Sequence, residues 1–174
     1  IYKITYQDLT ELGIANPENV RIYGNGGRTL PLMNRISRPD DLIENAIYMS
    51  KGADGVFNQD DFILFYGQGV VTWTYDQKEE LYHHEVNDYS GNSYYYLTSS
   101  LGAGKKIESV PVVGEPSDTI ITSFDDHDYH ERNLYNLIKS GRQWFGEKFD
   151  YSTSFDTLFV FPNLVATSPV LLQA

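Results

Sequence analysis

Asp61-Phe62-Ile63-Leu64-Phe65-Tyr66 is an almost unbroken apolar run, closed by Gly67-Gln68-Gly69. A short apolar run bounded by turn residues reads as a buried strand, so this segment predicts the central strand of a sheet. Working outward, residues 51–60 form the loop that feeds it. Before that, Arg38-Pro39-Asp40-Asp41 opens a short helical stretch over residues 41–46 that leads into Ile47-Tyr48-Met49. Val20-Arg21-Ile22-Tyr23 alternates, and Gly24-Asn25-Gly26-Gly27 gives the best hairpin signal in the chain, because Asn-Gly tolerates the positive φ of twisted turns. That signal predicts a reversal into Arg28-Thr29-Leu30-Pro31-Leu32. Residues 1–6 read as a strand. Residues 7–13 read as one helical turn, with Asp8 as N-cap, Leu9 and Leu12 three apart, and Gly13 as the stop; Asn16-Pro17 marks a turn.

Downstream, Trp73, Tyr75 and Tyr82 fall in a stretch with no clear assignment. Residues 93–98 read as a strand and 99–118 as a loop with a weak strand at 107–113. Residues 119–124 form another expected strand, followed by the acidic run Asp125-Asp126-His127-Asp128. Leu134, Leu137 and Ile138 share one face of an expected helix over 129–139, ended by Ser140-Gly141-Arg142. Two further strands are expected at 144–149 and 155–161. The class is therefore mainly β, sandwich-like with a few short helices, with α+β as the alternative. The shift near the acidic run divides a β-rich module at 1–125 from residues 126–174, a helical linker and the first strands of a second sandwich. The chain starts within an expected strand and ends at Val170-Leu171-Leu172-Gln173-Ala174 without polar punctuation, so it looks cut from something longer. An unpaired strand edge is the expected consequence, with either self-association or poor order of the C-terminal region.

Composition narrows the chemistry. The 174 residues carry a net charge of −11, so a phosphate backbone or an anionic membrane surface is a poor partner. There is no cysteine, which removes a thiol nucleophile, disulfides and thiolate metal ligands. No run approaches the ~18 apolar residues of a membrane span, and no basic–apolar–small leader opens the chain. Fourteen tyrosines favour strands and half-wet surfaces.

The constellations that could carry chemistry are each matched by a plainer structural role. With Gly55 as the sixth position of a calcium loop, Asp54, Asn58 and Asp61 fall on ligand positions, but Ser50 and Gly52 replace two essential carboxylates. A turn tied down by Asp54 and Asn58 is the expected role. His83-His84 are neighbours, which point to opposite faces of a strand, and the spacing of a zinc helix is missing. No G-x-S-x-G elbow occurs, and Gly24-Asn25-Gly26-Gly27 lacks the Lys-Ser/Thr of a phosphate loop. Asp125, Asp126 and Asp128 have the residue types of a glycosidase pair but read as a solvated corner. Trp73, Tyr75, Tyr94, Tyr95, Tyr96 and Trp144 could supply a platform for sugar or peptide. Of these, Trp73, Tyr75, Tyr94, Tyr96 and Trp144 are taken as the candidate binding surface. No catalytic, cofactor-binding or metal-ligating residue is assigned, and no cofactor is expected.

One distributed pattern remains. Ile1-Tyr2-Lys3-Ile4-Thr5-Tyr6 with Leu9 and Gly13-Ile14 is followed by Val20-Arg21-Ile22-Tyr23-Gly24-Asn25-Gly26-Gly27, Asp54-Gly55-Val56-Phe57 and Asp61 through Gly69. Trp73, Tyr75-Asp76, Tyr94-Tyr95-Tyr96-Leu97-Thr98 and Ser140-Gly141-Arg142-Gln143-Trp144-Phe145-Gly146-Glu147 then complete the order. The set resembles the N-terminal region of the type IX secretion-system sortases of the gingipain-like cysteine peptidase family. The resemblance implies a parent that removes the C-terminal sorting domain of secreted cargo and works at the cell surface or outer membrane of a Gram-negative bacterium. It also implies that the catalytic Cys–His pair lies downstream, that the partners are a peptidase domain of the same parent chain and secreted cargo, and that this segment is non-catalytic. Neither His83 nor His84 sits in the family's catalytic context.

Overall fold

In the computed structural model the chain clusters into two compact units, Ile1–Glu115 and Pro116–Ala174. Residues 1–111, 114, 119–139 and 143–173 are described. All named elements lie in the first unit, and they are mainly antiparallel strands with very little helix, the mainly-β class expected from the sequence.

The 61–66 run yields β5 (Phe62–Phe65), the middle of a three-stranded sheet with β1 (Tyr2–Thr5) on one side and β4 (Ile47–Ser50) on the other. Both neighbours are antiparallel, with Ile63 opposite Ile4 and Met49. Central placement holds, but burial alternates. Ile63 and Phe65 are in the core, while Phe62 and Leu64 on the other face are half-buried. The Lys3 ammonium lies 4.2 Å from the centroid of the Phe62 ring, so a snorkelling side chain helps to cover that second face.

A second sheet orders β3 (Glu44–Asn45), β2 (Arg21–Tyr23) and β8 (Tyr96–Thr98). Ile22 of β2 joins Ile47, Ile63 and Phe65 of the first sheet, with Leu9, Val20 and Phe57, in one buried cluster. The two sheets therefore share a core, as in a small sandwich.

α1 (Tyr6–Glu11) closes one end of that core with Leu9. Its N-cap is Thr5 rather than Asp8. Asp8 is the third helical residue of a capping box, and its carboxylate accepts from the Thr5 amide at 2.8 Å. The Thr5 amide and hydroxyl together hold the Asp8 carboxyl below its ordinary pKa. Gly13, at φ 75°, terminates the helix as expected. The Ile14 amide bonds the Leu9 carbonyl and the Gly13 amide that of Thr10, the two bonds of a Schellman stop.

The expected hairpin at 24–32 does not form, and β2 instead pairs with β3 and β8. The reason lies in Asn25. Its side-chain carbonyl accepts from the Ile43 amide at 2.8 Å and its NH2 donates to the Asp41 carbonyl, extending the β2–β3 ladder with a side chain. The same pairing draws 44–45 into a strand where a helix over 41–46 was expected. The neighbouring glycines serve close approach: a Cβ on Gly24 would meet the Tyr95 ring at 2.5 Å and the Tyr94 carbonyl oxygen at 2.9 Å.

β6 (Val71–Asp76) and β7 (Leu81–Val86) form a two-stranded ribbon joined by the four-residue turn 77–80. Arg21 ties down the loop after β8, donating to the carbonyls of Gly102 and Ala103 and facing Glu44 at 3.4 Å. The expected weak strand at 107–113 does not form over its described residues 107–111; a single parallel bridge joins Ile47 to Lys106 just before them, and residues 112 and 113 lie outside the described residues.

The second unit holds no named helix or strand among its described residues. The expected strands at 119–124, 144–149 and 155–161 and the helix over 129–139 are replaced by an isolated antiparallel bridge between Tyr135 and Phe145. The expected helix stop at 140–142 lies outside the described residues. Leu134, Leu137 and Ile138 are exposed. A short helix needs a surface on which to bury its apolar stripe, and among the described residues of this unit none is buried. Among the described residues no helix is long and apolar enough to cross a membrane.

Candidate functional site

The β6–β7 ribbon brings two of the expected surface aromatics, Trp73 and Tyr75, together with further rings on one face. Period-two alternation puts Trp73 and Tyr75 on one face. The register then sets His84 opposite Trp73 and Tyr82 opposite Tyr75. Ring centroids are 5.3 Å apart in the first pair and 5.0 Å in the second, both tilted. Tyr75 and Tyr82 remain 47% and 40% exposed, so the strip is open to solvent. Its partners Tyr82 and His84 were not among the expected surface residues. The repeats Val71-x-Trp73-x-Tyr75 and Tyr82-x-His84-x-Val86, separated by a polar turn, carried the signal.

The other candidates are elsewhere. Tyr96 is on β8, opposite Tyr23, and Tyr94 precedes that strand; both are exposed. Tyr95 is a core-packing residue: its ring meets Phe65 edge-on at 5.2 Å, and its hydroxyl accepts from the Gln68 amide at 2.6 Å. Trp144 belongs to the second unit and is 38% exposed.

The opposite face of the ribbon is polar. There His83 faces Thr74 across the ladder, and its Nε2 lies 2.9 Å from a Glu79 carboxylate oxygen. His83 and His84 thus point to opposite faces, as strand geometry requires. Asp76 ends β6, and its Oδ1 accepts from the amides of Lys78 and Glu79. Those two bonds, with a smaller contribution from His83, pull the Asp76 carboxyl below its ordinary pKa.

The Asp54–Asp61 loop is built as a turn. Asp54 accepts from the Val56 amide and the Asn58 NH2, and the buried Asp61 accepts from the Asn58 amide at 2.8 Å. Asp126 and Asp128 each accept from the amide of the next residue, and the whole acidic run is exposed. In the second unit His130 bridges Glu147, at 2.9 Å from Nε2, and the Thr157 hydroxyl, at 3.3 Å from Nδ1. The His130 hydrogen bond is the main cause of a lowered Glu147 pKa, with Arg132 adding to it. With no cysteine in the sequence, neither unit holds a thiol nucleophile.

Architecture and surface together define a mainly-β module with an aromatic-faced ribbon. No family model matches the chain, and no curated protein matches it. Among solved structures it is similar to the crystal structure of dimeric latent PorU from Porphyromonas gingivalis. The TM-score is 0.50 and the identity 27%, over 69% of this chain and 10% of that one. The chain thus spans about a tenth of the length of that neighbour.

Proposed function

We propose that this chain is a non-catalytic β module of a larger, surface-associated sortase of the type IX secretion kind, whose peptidase domain is a separate part of the same polypeptide. The carrying observation is the likeness to PorU at 27% identity over 69% of the chain. Two further features support it: the absence of cysteine, and the ordered set of strings from Ile1-Tyr2-Lys3 to Gly146-Glu147. In this reading residues 1–125 form the module and 126–174 lead towards the next domain, offering apolar side chains such as Phe149, Leu158 and Leu171 for packing. The peptidase would process the C-terminal sorting signal of secreted cargo at the outer membrane, and the module would support or present substrate through strand edges rather than reactive side chains. The test is an antibody raised against this chain and applied to cells of its source. It should detect a surface-accessible protein several times larger than 19.9 kDa. A protein of 19.9 kDa confined to the cell interior would overturn the reading.

A second reading rests on the ribbon. Trp73, Tyr75 and Tyr82 share one open face, an arrangement suited to stacking a sugar ring or a peptide. Tryptophan fluorescence titrated with glycans should then saturate, and Trp73→Ala should abolish the response. A flat titration across glycans and peptides removes this reading and leaves the first.

A further inference from the structure

We propose that Asp76, Glu79 and His83 form a site for one divalent first-row transition-metal ion of the Zn2+ class, on the polar face of the β6–β7 ribbon. Their candidate ligand atoms all lie within 4.8 Å of one another. Around a tetrahedral zinc with bonds of about 2.0–2.2 Å, neighbouring ligand atoms stand roughly 3.3 Å apart. The His83 Nε2 to Glu79 distance of 2.9 Å is already close to that, and small rotamer changes bring in Asp76.

The backbone sets up the convergence. Asp76 pairs with Leu81, so His83, two residues further along β7, shares its face. The turn at 77–80 carries Glu79 between them, and Glu80 reverses the chain at φ 55°. All three ligands come from eight consecutive residues, 76 to 83, and the pattern Asp-x-x-Glu-x-x-x-His differs from the helical zinc motif because a hairpin replaces the helix. The amides of Lys78 and Glu79 hold one Asp76 oxygen, which orients the carboxylate and leaves its other oxygen for the ion.

The donor chemistry selects the ion. An imidazole with two carboxylates suits zinc, nickel or cobalt, whereas calcium and magnesium call for all-oxygen sites with more ligands. Three protein ligands leave a position for water. The chain has no cysteine to compete for the ion. His84, the neighbouring imidazole, faces the other way and takes no part.

Calorimetric titration of the intact chain with Zn2+, at neutral pH and with millimolar Ca2+ and Mg2+ present, tests the site. One ion should bind per chain. His83→Ala should weaken binding at least about tenfold and Glu79→Gln should weaken it measurably, while His84→Ala binds as the parent does. Glu79 lies in an exposed turn, so E79Q decides the matter if H83A perturbs the ribbon. Absence of a one-to-one isotherm, parental affinity in both H83A and E79Q, or equal loss in H83A and H84A would each overturn the proposal.

Discussion

Ile63 and Leu158 are both large aliphatic side chains in apolar stretches, yet Ile63 is fully buried and Leu158 is 86% exposed. The first belongs to the unit with every named strand, the second to a unit whose only bridge among the described residues joins Tyr135 and Phe145. All buried hydrophobic residues among the described ones lie in the first unit. Apolar content does not separate the two regions; pairing does. Ile63 sits between Ile4 and Met49, each brought by a strand distant in sequence, and the ladder satisfies the backbone of the segment that buries it. Residues 155–161 have the composition of a strand without a ladder to enter.

The sharpest way to break that comparison is a matched truncation. Ile63→Ala removes a fully packed side chain and should cost about 3 kcal/mol, within the range for buried aliphatic truncations. Leu158→Ala should stay within about 0.5 kcal/mol, the expectation for an exposed position. Urea unfolding followed by tryptophan fluorescence measures both, and equal losses would mean that the second unit has a core of its own.

A finer contrast lies within the first unit. At Gly24 space is the constraint: an added Cβ meets the Tyr95 ring at 2.5 Å, so Gly24→Ala must push β2 and β8 apart. Overpacking of that kind costs about 1–3 kcal/mol. A methyl added at Gly13 would meet nothing within 4 Å, but the residue sits at φ 75°, so Gly13→Ala adds backbone strain alone. About 1 kcal/mol is expected there. If the order is reversed, the β2–β8 contact is looser than its distances imply.

These positions also show what could be read from the sequence. The 61–66 run, the opening strand and the Gly13 stop are set by local chemistry, and all three are legible. The Gly24-Asn25-Gly26-Gly27 signal misled because Asn25 spends its side chain on Ile43 and Asp41, partners that turn statistics do not contain. The ribbon escaped assignment because its turn, Gln77-Lys78-Glu79-Glu80, lacks the Asn-Gly or Asp-Gly signature that marks a hairpin. Trp73 and Tyr75 stand out in the sequence as aromatics, but their pairing with His84 and Tyr82 required the register. The helical spacing at 129–139 is present in the sequence, but periodicity cannot supply a surface to pack on.

The smallest expected effect concerns what holds the second unit together. Glu147 accepts a hydrogen bond from His130, stands 3.8 Å from Arg132, and follows closely on Phe145, whose amide pairs with the Tyr135 carbonyl at 2.8 Å. Its pKa is lowered in the folded chain, chiefly by His130. A depressed carboxyl contributes stability above its unfolded pKa of about 4.3 and loses it as pH falls through the folded value. Amide exchange at Tyr135 and Phe145, corrected for the intrinsic pH dependence, should therefore show constant protection from pH 6 to about 5 and a decline below about 4. Glu147→Gln should flatten the decline, because a neutral amide has no proton to gain. Ile63 and Phe65, buried in the core of the first unit, give the internal reference: their protection should not follow the Glu147 step. If protection at Tyr135 falls between pH 6 and 5, or if Glu147→Gln leaves the acid limb intact, the His130–Glu147 link is not what closes the bridge.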